Sequence, residues 1–194
     1  MVLAGGRPYG ASAMGIEFAG FAGDCRVFGR VASLGERLTD LLNSGERITV
    51  RDVRLESLVD GHVVTMPDLI LELSDLYAVV GKGPRGFPDR RVRTEEHRLR
   101  LGVGPYVVLG NLHTPPDRDP IGDVLRRPSM VPLTNATIAY QMAGRPEAED
   151  VGTMIVNRLL TEWIAPAEDD QAAAFPGVRV RRFGLKDMSG LRID

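Results

Sequence analysis

The sequence predicts an all-β protein: two tandem small barrels of about five strands each, one short helical turn per barrel, and flexible termini. Three observations carry that prediction. Short apolar runs alternate with turn signals such as Gly23-Asp24, Asp60-Gly61 and Gly144-Arg145-Pro146. Two of the strand-like runs carry a central glycine, Gly29 and Gly110. Glycine there weakens a sheet unless the backbone must bend or bulge, and a short sheet must curl sharply to close. The third observation is that the chain repeats itself.

From Asp40 to Val80 the sequence aligns without a gap on Asp123 to Trp163, an offset of 83 residues (40 to 123). Leu42 falls on Leu125, Ile48 on Val131, Val50 on Leu133, Asp52 on Asn135, Leu55 on Ile138 and Leu73 on Val156. Upstream the offset is 81: Gly23 meets Gly104, Val27 meets Val108, Gly29 meets Gly110 and Val31 meets Leu112. The two extra residues fall in the polar segment from Pro115 to Pro120, where a loop absorbs an insertion at little energetic cost. The matches are apolar positions, glycines and one carboxylate.

Taken in order, residues 1–15 are rich in Gly and Ala without periodicity and are expected to be flexible. The first barrel unit spans 16–81. Its strands are expected at Ile16–Phe21 and Cys25–Val31, joined at Gly23-Asp24. Leu38, Leu41 and Leu42 suit one helical turn, with Gly45 as its terminating glycine. Ile48, Val50, Val53 and Leu55 alternate except for the step from Val50 to Val53, which marks a bulge. His62–Met66 and Leu69–Leu73 follow around Pro67, and Leu76–Val80 closes the unit. Residues 82–96, rich in Gly, Pro and charge, read as a linker. The second unit, 97–166, restarts the pattern, with a helical turn at Ile121–Leu125 and a strand at Met130–Ala139. The tail, 167–194, has no sustained apolar period and is expected to lack fixed structure unless Val178–Val180 adds to a sheet edge.

A strand with a central glycine, a loop with Asp and Asn, and a strand reading V-x-D-V-x-L resemble the first half of an Sm-like (Hfq-like) domain. Gly29, Asp40, Asn43, Val50, Asp52 and Leu55 supply those features, and Leu73, Leu76 and Val79 stand where that family carries its second motif. The Arg-Gly of the second motif is replaced by Ser74-Asp75 in one copy and Asn157-Arg158 in the other. Arg126 stands at the base-contacting position in the second copy, so that role is implied only for Asn43. The R-L-T-D-x-L-N run also resembles an uncharacterised family of small bacterial β-domains.

Composition narrows the function classes. A formal net charge of −2 gives no global attraction to nucleic acid or an anionic membrane. The single cysteine, Cys25, excludes an intramolecular disulfide and a cysteine-built metal site, and points to the cytoplasm. The apolar runs stop after about five residues against the ~20 needed to span a bilayer, so no membrane association is expected. His62, His97 and His113 lack the spacing of a metal site. Asp40 and Asp123 are read as helix caps, and Asp52 and Asn135 as residues bonding a neighbouring loop's backbone. Cys25 is read as a small buried hydrophobe, and Tyr77 and Trp163 as core residues or, for the runner-up, an oligomer contact. No serine lies in a nucleophile elbow, and neither glycine cluster completes a phosphate loop.

No catalytic, metal-binding or cofactor-binding residue is therefore expected, and no cofactor. The leading expectation is a non-catalytic binding or assembly module that presents barrel edges to a protein partner or to copies of itself. An alternative is an RNA or single-stranded nucleic-acid binder of the Sm-like kind. It would use Arg90, Arg91 and Arg93 of the linker and Arg179, Arg181 and Arg182 of the tail, with Phe175 and Phe183 for stacking. A small-ligand sensor with its site between the barrels ranks third.

Overall fold

Antiparallel pairing joins almost every strand of the chain into a single sheet. The computed structural model describes residues 14–82, 93–168 and 175–184. In chain order the elements are β1 (Met14–Phe21), β2 (Cys25–Ser33), α1 (Leu38–Ser44), β3 (Arg47–Ser57), β4 (Val63–Glu72) and β5 (Ala78–Lys82). Then come β6 (Glu95–Val103), β7 (Tyr106–Thr114), α2 (Pro120–Arg126), β8 (Met130–Met142), β9 (Arg145–Asn157), β10 (Thr161–Pro166) and β11 (Val180–Arg182). The sheet order is β10-β6-β7-β8-β9-β5-β1-β2-β3-β4, with β11 added in parallel to β9.

Read by halves, that order is β10-β6-β7-β8-β9 followed by β5-β1-β2-β3-β4, the same arrangement twice. The chain is thus all-β and repeats its topology as well as its sequence. The two closed barrels expected from the sequence are not formed: the sheet is open, with β4 and β10 as its ends. The reason lies in β5, which pairs across the halves with β9 (Ala78 with Val156, Val79 with Ile155) and leaves β4 without a second neighbour.

The central glycines hold equivalent places. Pairing of β2 with β3 slips between Phe28 and Arg30, and pairing of β7 with β8 slips between Leu109 and Asn111, so each glycine lies at the irregularity. Opposite it the partner strand bulges through a residue in the left-handed region, Asp52 (φ 52°) or Asn135 (φ 47°). Asp and Asn are the side chains that tolerate that conformation best after glycine. The bulge brings the partner backbone so close that a Cβ on Gly29 would lie 2.5 Å from the Arg51 carbonyl oxygen. One on Gly110 would lie 2.9 Å from Leu133 Cβ. The carboxylate and amide at 52 and 135 therefore serve backbone geometry, where bonding to a neighbouring loop was expected.

Burial binds the halves together. Ile16 and Phe18 of β1 and Val79 of β5 face the first half's core. From the other face, Ala19, Phe21, Ala78 and Val80 enter the core of the second half, among Leu101, Val108, Ile138 and Met154. All four are at most 4% exposed. Removing the Phe21 ring from water alone contributes about 1.5–3 kcal/mol.

Several boundaries differ from expectation. Met14 and Gly15, assigned to the flexible N-terminus, belong to β1, and Glu95 and Glu96 of the expected linker belong to β6. Residues 1–13 and 83–92 of those segments lie outside the described residues. The helix α1 ends at Ser44, but Gly45 is extended (φ −135°), so it is not a left-handed cap. Part of the tail is ordered: Phe175 is 5% exposed against Leu109, and β11 pairs with β9 from Val180 to Arg182. An apolar ring with a cavity to fill fixes this segment despite its weak sequence pattern.

Gly29→Ala is expected to destabilise the protein by about 1–3 kcal/mol through overpacking. Gly15→Ala, whose added methyl meets nothing closer than 3.7 Å, is expected to change stability little. Urea denaturation of both variants measures the difference; equal midpoints would remove the glycine–bulge account.

Candidate functional site

The alternation of β2 sends Val27 and Val31 into the first half's core and places Arg26 and Phe28 on the opposite face. Across the ladder Glu56 is the partner of Arg26, and Arg54 that of Phe28. The second half brings Tyr140 from β8 and Glu147 and Glu149 from β9, and Arg181 to Gly184 close the other side. Together these segments line a cleft of about 400 Å³ at the junction of the halves.

Arg26 is the floor of that cleft and is 9% exposed. Its Nη2 donates to Glu56 Oε2 at 2.5 Å, and its Nη1 donates to Tyr140 Oη at 2.5 Å and Glu149 Oε1 at 3.2 Å. The guanidinium carbon lies 5.1 Å from the ring centroids of both Phe28 and Tyr140. Burial alone would favour losing the proton, but Tyr140, Glu149 and Glu56 outweigh it and hold the group above its ordinary range. Burial also pushes the Tyr140 hydroxyl up, so it stays protonated beside the arginine. Arg26 Nε is buried without a hydrogen-bond partner. Arg54 approaches Glu56 Oε1 at 3.8 Å, and Arg181 is ion-paired with Glu147. Phe183 stands 6.5 Å from Phe28 between centroids, with the rings 18° from parallel.

The repeat supplies an internal control. Arg26, Phe28, Arg54 and Glu56 correspond to Val107, Leu109, Thr137 and Ala139, by the offsets of 81 and 83. In the second half Val107, Leu109 and Ala139 are apolar, Thr137 is buried, and Phe175 seals the surface with Ala167 and Val178 packed alongside and Arg100 5.9 Å from its ring centroid. One copy is greasy and shut. The other is charged and open.

Of the six arginines singled out from the sequence, four lie among the described residues. Arg90 and Arg91 lie outside the described residues. Arg93 is exposed just before β6, and Arg179 is exposed before β11. Only Arg181 and Arg182 line the cleft. Of the aromatics expected to stack, Phe175 is buried against Leu109 and Phe183 lines the cleft. Sequence reasoning missed Arg26, Arg54, Glu56, Tyr140 and Glu149. A signal for the first was present, since an arginine on an alternating core strand aligns with a valine in the repeat.

Other expectations are corrected by the side chains. Neither Asp40 nor Asp123 caps a helix: Asp40 is exposed, and Asp123 is ion-paired with Arg127 at 2.7 Å. Asp119 is the cap of α2, accepting from the Gly122 N–H at 2.8 Å. Asn43 clamps the halves together, donating to the Met130 carbonyl at 2.9 Å and accepting from the Met130 N–H at 2.9 Å. Asn157 reaches back to the Leu76 carbonyl at 3.1 Å. The base-contacting role that the resemblance implied for Asn43 thus falls on an amide occupied by the chain itself. His97 and His113 are half-buried, His113 with its Nε2 2.7 Å from Thr134 Oγ1. Among the described residues no cluster of side chains could hold a metal ion, and no helix is long and apolar enough to cross a membrane.

The sheet ends form a second surface. Ile70 and Val64 on β4 are 66% and 43% exposed, and Trp163 on β10 is 43% exposed with its indole lying over Gly102. Trp163 is therefore no core residue. A groove of about 560 Å³ opens beside β4, with Val27, Leu55, Leu69 and Leu71 in its lining. Cys25 lies at its rim, half-buried, with a pKa pushed up to about 11 by burial and by the hydrogen bond and charge of Asp24. Comparison of the chain with protein-family models, curated proteins and solved structures gives no match.

Two outcomes are expected from this geometry. Removing only Arg26 (Arg26→Met) strands two glutamates and costs about 3–5 kcal/mol, whereas Arg26→Met/Glu56→Leu/Glu149→Met is neutral or stabilising. Guanidinium unfolding of both variants tests the contrast, and a triple variant as weak as the single one would refute it. With a pKa of about 11, only about a thousandth of Cys25 is thiolate at pH 8, against roughly a quarter for a free thiol near pKa 8.5. Alkylation by iodoacetamide, followed by mass spectrometry, should be slow at pH 8 and rise about tenfold per pH unit up to pH 10. A rate already at its plateau by pH 8 would contradict it.

Proposed function

We propose that the protein is a non-catalytic assembly module that joins copies of itself head to tail through the two ends of its sheet. The reading rests on one comparison. Leu55 and Leu71 are half-buried, whereas their repeat equivalents Ile138 and Met154 are 0% exposed. What covers the second pair is the first half's β1 and β5, through Ala19, Phe21, Ala78 and Val80. The equivalents of those two strands in the second half are β6 and β10, where Trp163 takes the place of Val80. The chain thus contains one instance of a joint, and at its ends the two unmated halves of a second.

A copy docking by the same rule would lay its β10 along β4 of its neighbour and bring Trp163 to the groove of Val27, Leu55 and Leu71. Such a contact uses different surfaces on its two sides, so it generates rings when the rotation closes and filaments when it does not. Pairing in the register of the internal joint sets Glu162 opposite Glu72, a like-charge neighbour. Arg47, 2.5 Å from Glu72, offsets that charge. Pro67 within β4 limits pairing along the exposed edge and restricts association to this register. The Sm-like reading, as two open five-stranded units rather than closed barrels, belongs to the same proposal, supported by the repeated strand order and the matched glycine–bulge pairs.

Light scattering of the purified chain should give a mass that is a multiple of 21.2 kDa, falling to the monomer in Trp163→Lys and in Leu69→Lys. Emission of the single tryptophan should shift to the blue as concentration rises. A chain that stays monomeric up to ~100 µM, a weak affinity of about 5.5 kcal/mol, would overturn the proposal.

A further inference from the structure

The cleft floored by Arg26 is not explained by either the fold or the sheet ends. A buried arginine held between two glutamates carries a desolvation penalty that apolar side chains of similar volume avoid. The same chain shows that an uncharged surface serves at this place in the fold, because Val107, Leu109, Thr137 and Ala139 occupy the equivalent positions and Phe175 seals the apolar three. The charged version therefore has a use other than holding the halves together.

The lining indicates what that use is. Glu56 and Glu149 are taken by Arg26, and Glu147 by Arg181. Arg54 lies over the Phe28 ring, 5.5 Å from its centroid, and its one ion pair is the longer 3.8 Å approach to Glu56, while Arg182 makes no ion pair with any described residue. Four guanidinium groups face three carboxylates, so one positive charge is left at the mouth, between walls that carry Arg54 and Arg182. Arginine is suited to carboxylate and phosphate oxygens because its fork of N–H groups matches their geometry. The Phe28 and Phe183 rings stack on each other, 18° from parallel, and both line the cleft with Tyr140. Arg26 Nε adds a buried donor without a partner on a side chain nine-tenths buried. A volume of about 400 Å³ falls within the range of sites for small metabolites.

We propose that this cleft is a binding site for a small anion carrying a flat ring, with the anionic group held by Arg54 and Arg182 and the ring laid against Phe183. The strap of β11 supplies Arg182 and Phe183, so occupation of the site holds the strap on β9. The site is separate from the sheet ends and stands or falls independently of self-association.

The test is titration of the full chain, by calorimetry, with four probes. Adenosine 5′-monophosphate and benzoate carry both ring and charge; adenosine lacks the charge and inorganic phosphate lacks the ring. At least one ring-bearing anion should bind with Kd of ~1 mM or tighter, and adenosine and phosphate at least tenfold more weakly. Arg54→Ala, Arg182→Ala and Phe183→Ala should each weaken the bound probe about tenfold or more, a loss of roughly 1.4 kcal/mol. Urea denaturation of Arg54→Ala and Arg182→Ala should give midpoints close to the parent's, because Arg182 is exposed and the one ion pair of Arg54 is long, which separates binding from stability. Saturation by neither ring-bearing anion, equal binding of free phosphate, or binding indifferent to Arg54→Ala and Arg182→Ala would overturn the assignment.

Discussion

Two strands buried on both faces govern this molecule. An isolated five-strand unit can present one apolar face to its own core and one polar face to water. In β1 and β5 the second face is apolar as well, because Ala19, Phe21, Ala78 and Val80 fill the second half's core. Separating the halves would expose both surfaces at about 25 cal/mol per Å². The halves therefore share their cores, and Met130 and Ile155 of the second half return the exchange by entering the first. Asn43 and Asn157 complete the seam by binding backbone groups of the opposite half, which those groups need once water is excluded.

From that constraint the open sheet follows. Because β5 is drawn onto β9, neither set of five strands curls onto itself, and the unused edges appear at β4 and β10. The asymmetry between copies has the same origin. Tyr106, the counterpart of Cys25, is fully buried and donates to the Ala22 carbonyl at 2.6 Å, plugging the second half where the first half meets it. At Cys25 the groove stays open among the described residues.

What the sequence revealed was local. The break between Val50 and Val53 located the bulge, and the matched glycines located the close approach, because each is a departure from a period of two within one strand. Periodicity shows which residues share a face but not what covers it. Phe18 and Phe21 read alike along β1, yet they point to different cores. Arg26 finds Glu149 at a separation of 123 residues, which no spacing rule within either half encodes. The tail misled for a related reason: Phe175 is fixed by a hollow on β7 and β8, not by its neighbours in sequence.

Duplication also changes how a charged surface is to be weighed. An isolated Arg26–Glu56–Glu149 cluster could be regarded as a clasp between strands that had no better option. Here the other copy displays another option in the same fold, with apolar residues and an aromatic lid. A clasp selected for strength would have drifted toward that solution, since buried ion pairs gain little over well-packed hydrophobes. The charges instead persist on the copy whose lid is a strap of three paired residues rather than a sealed ring, and where a cavity remains beside them. Burial, unspent positive charge and access coincide on one face of one repeat, and that coincidence separates a site from a fastening.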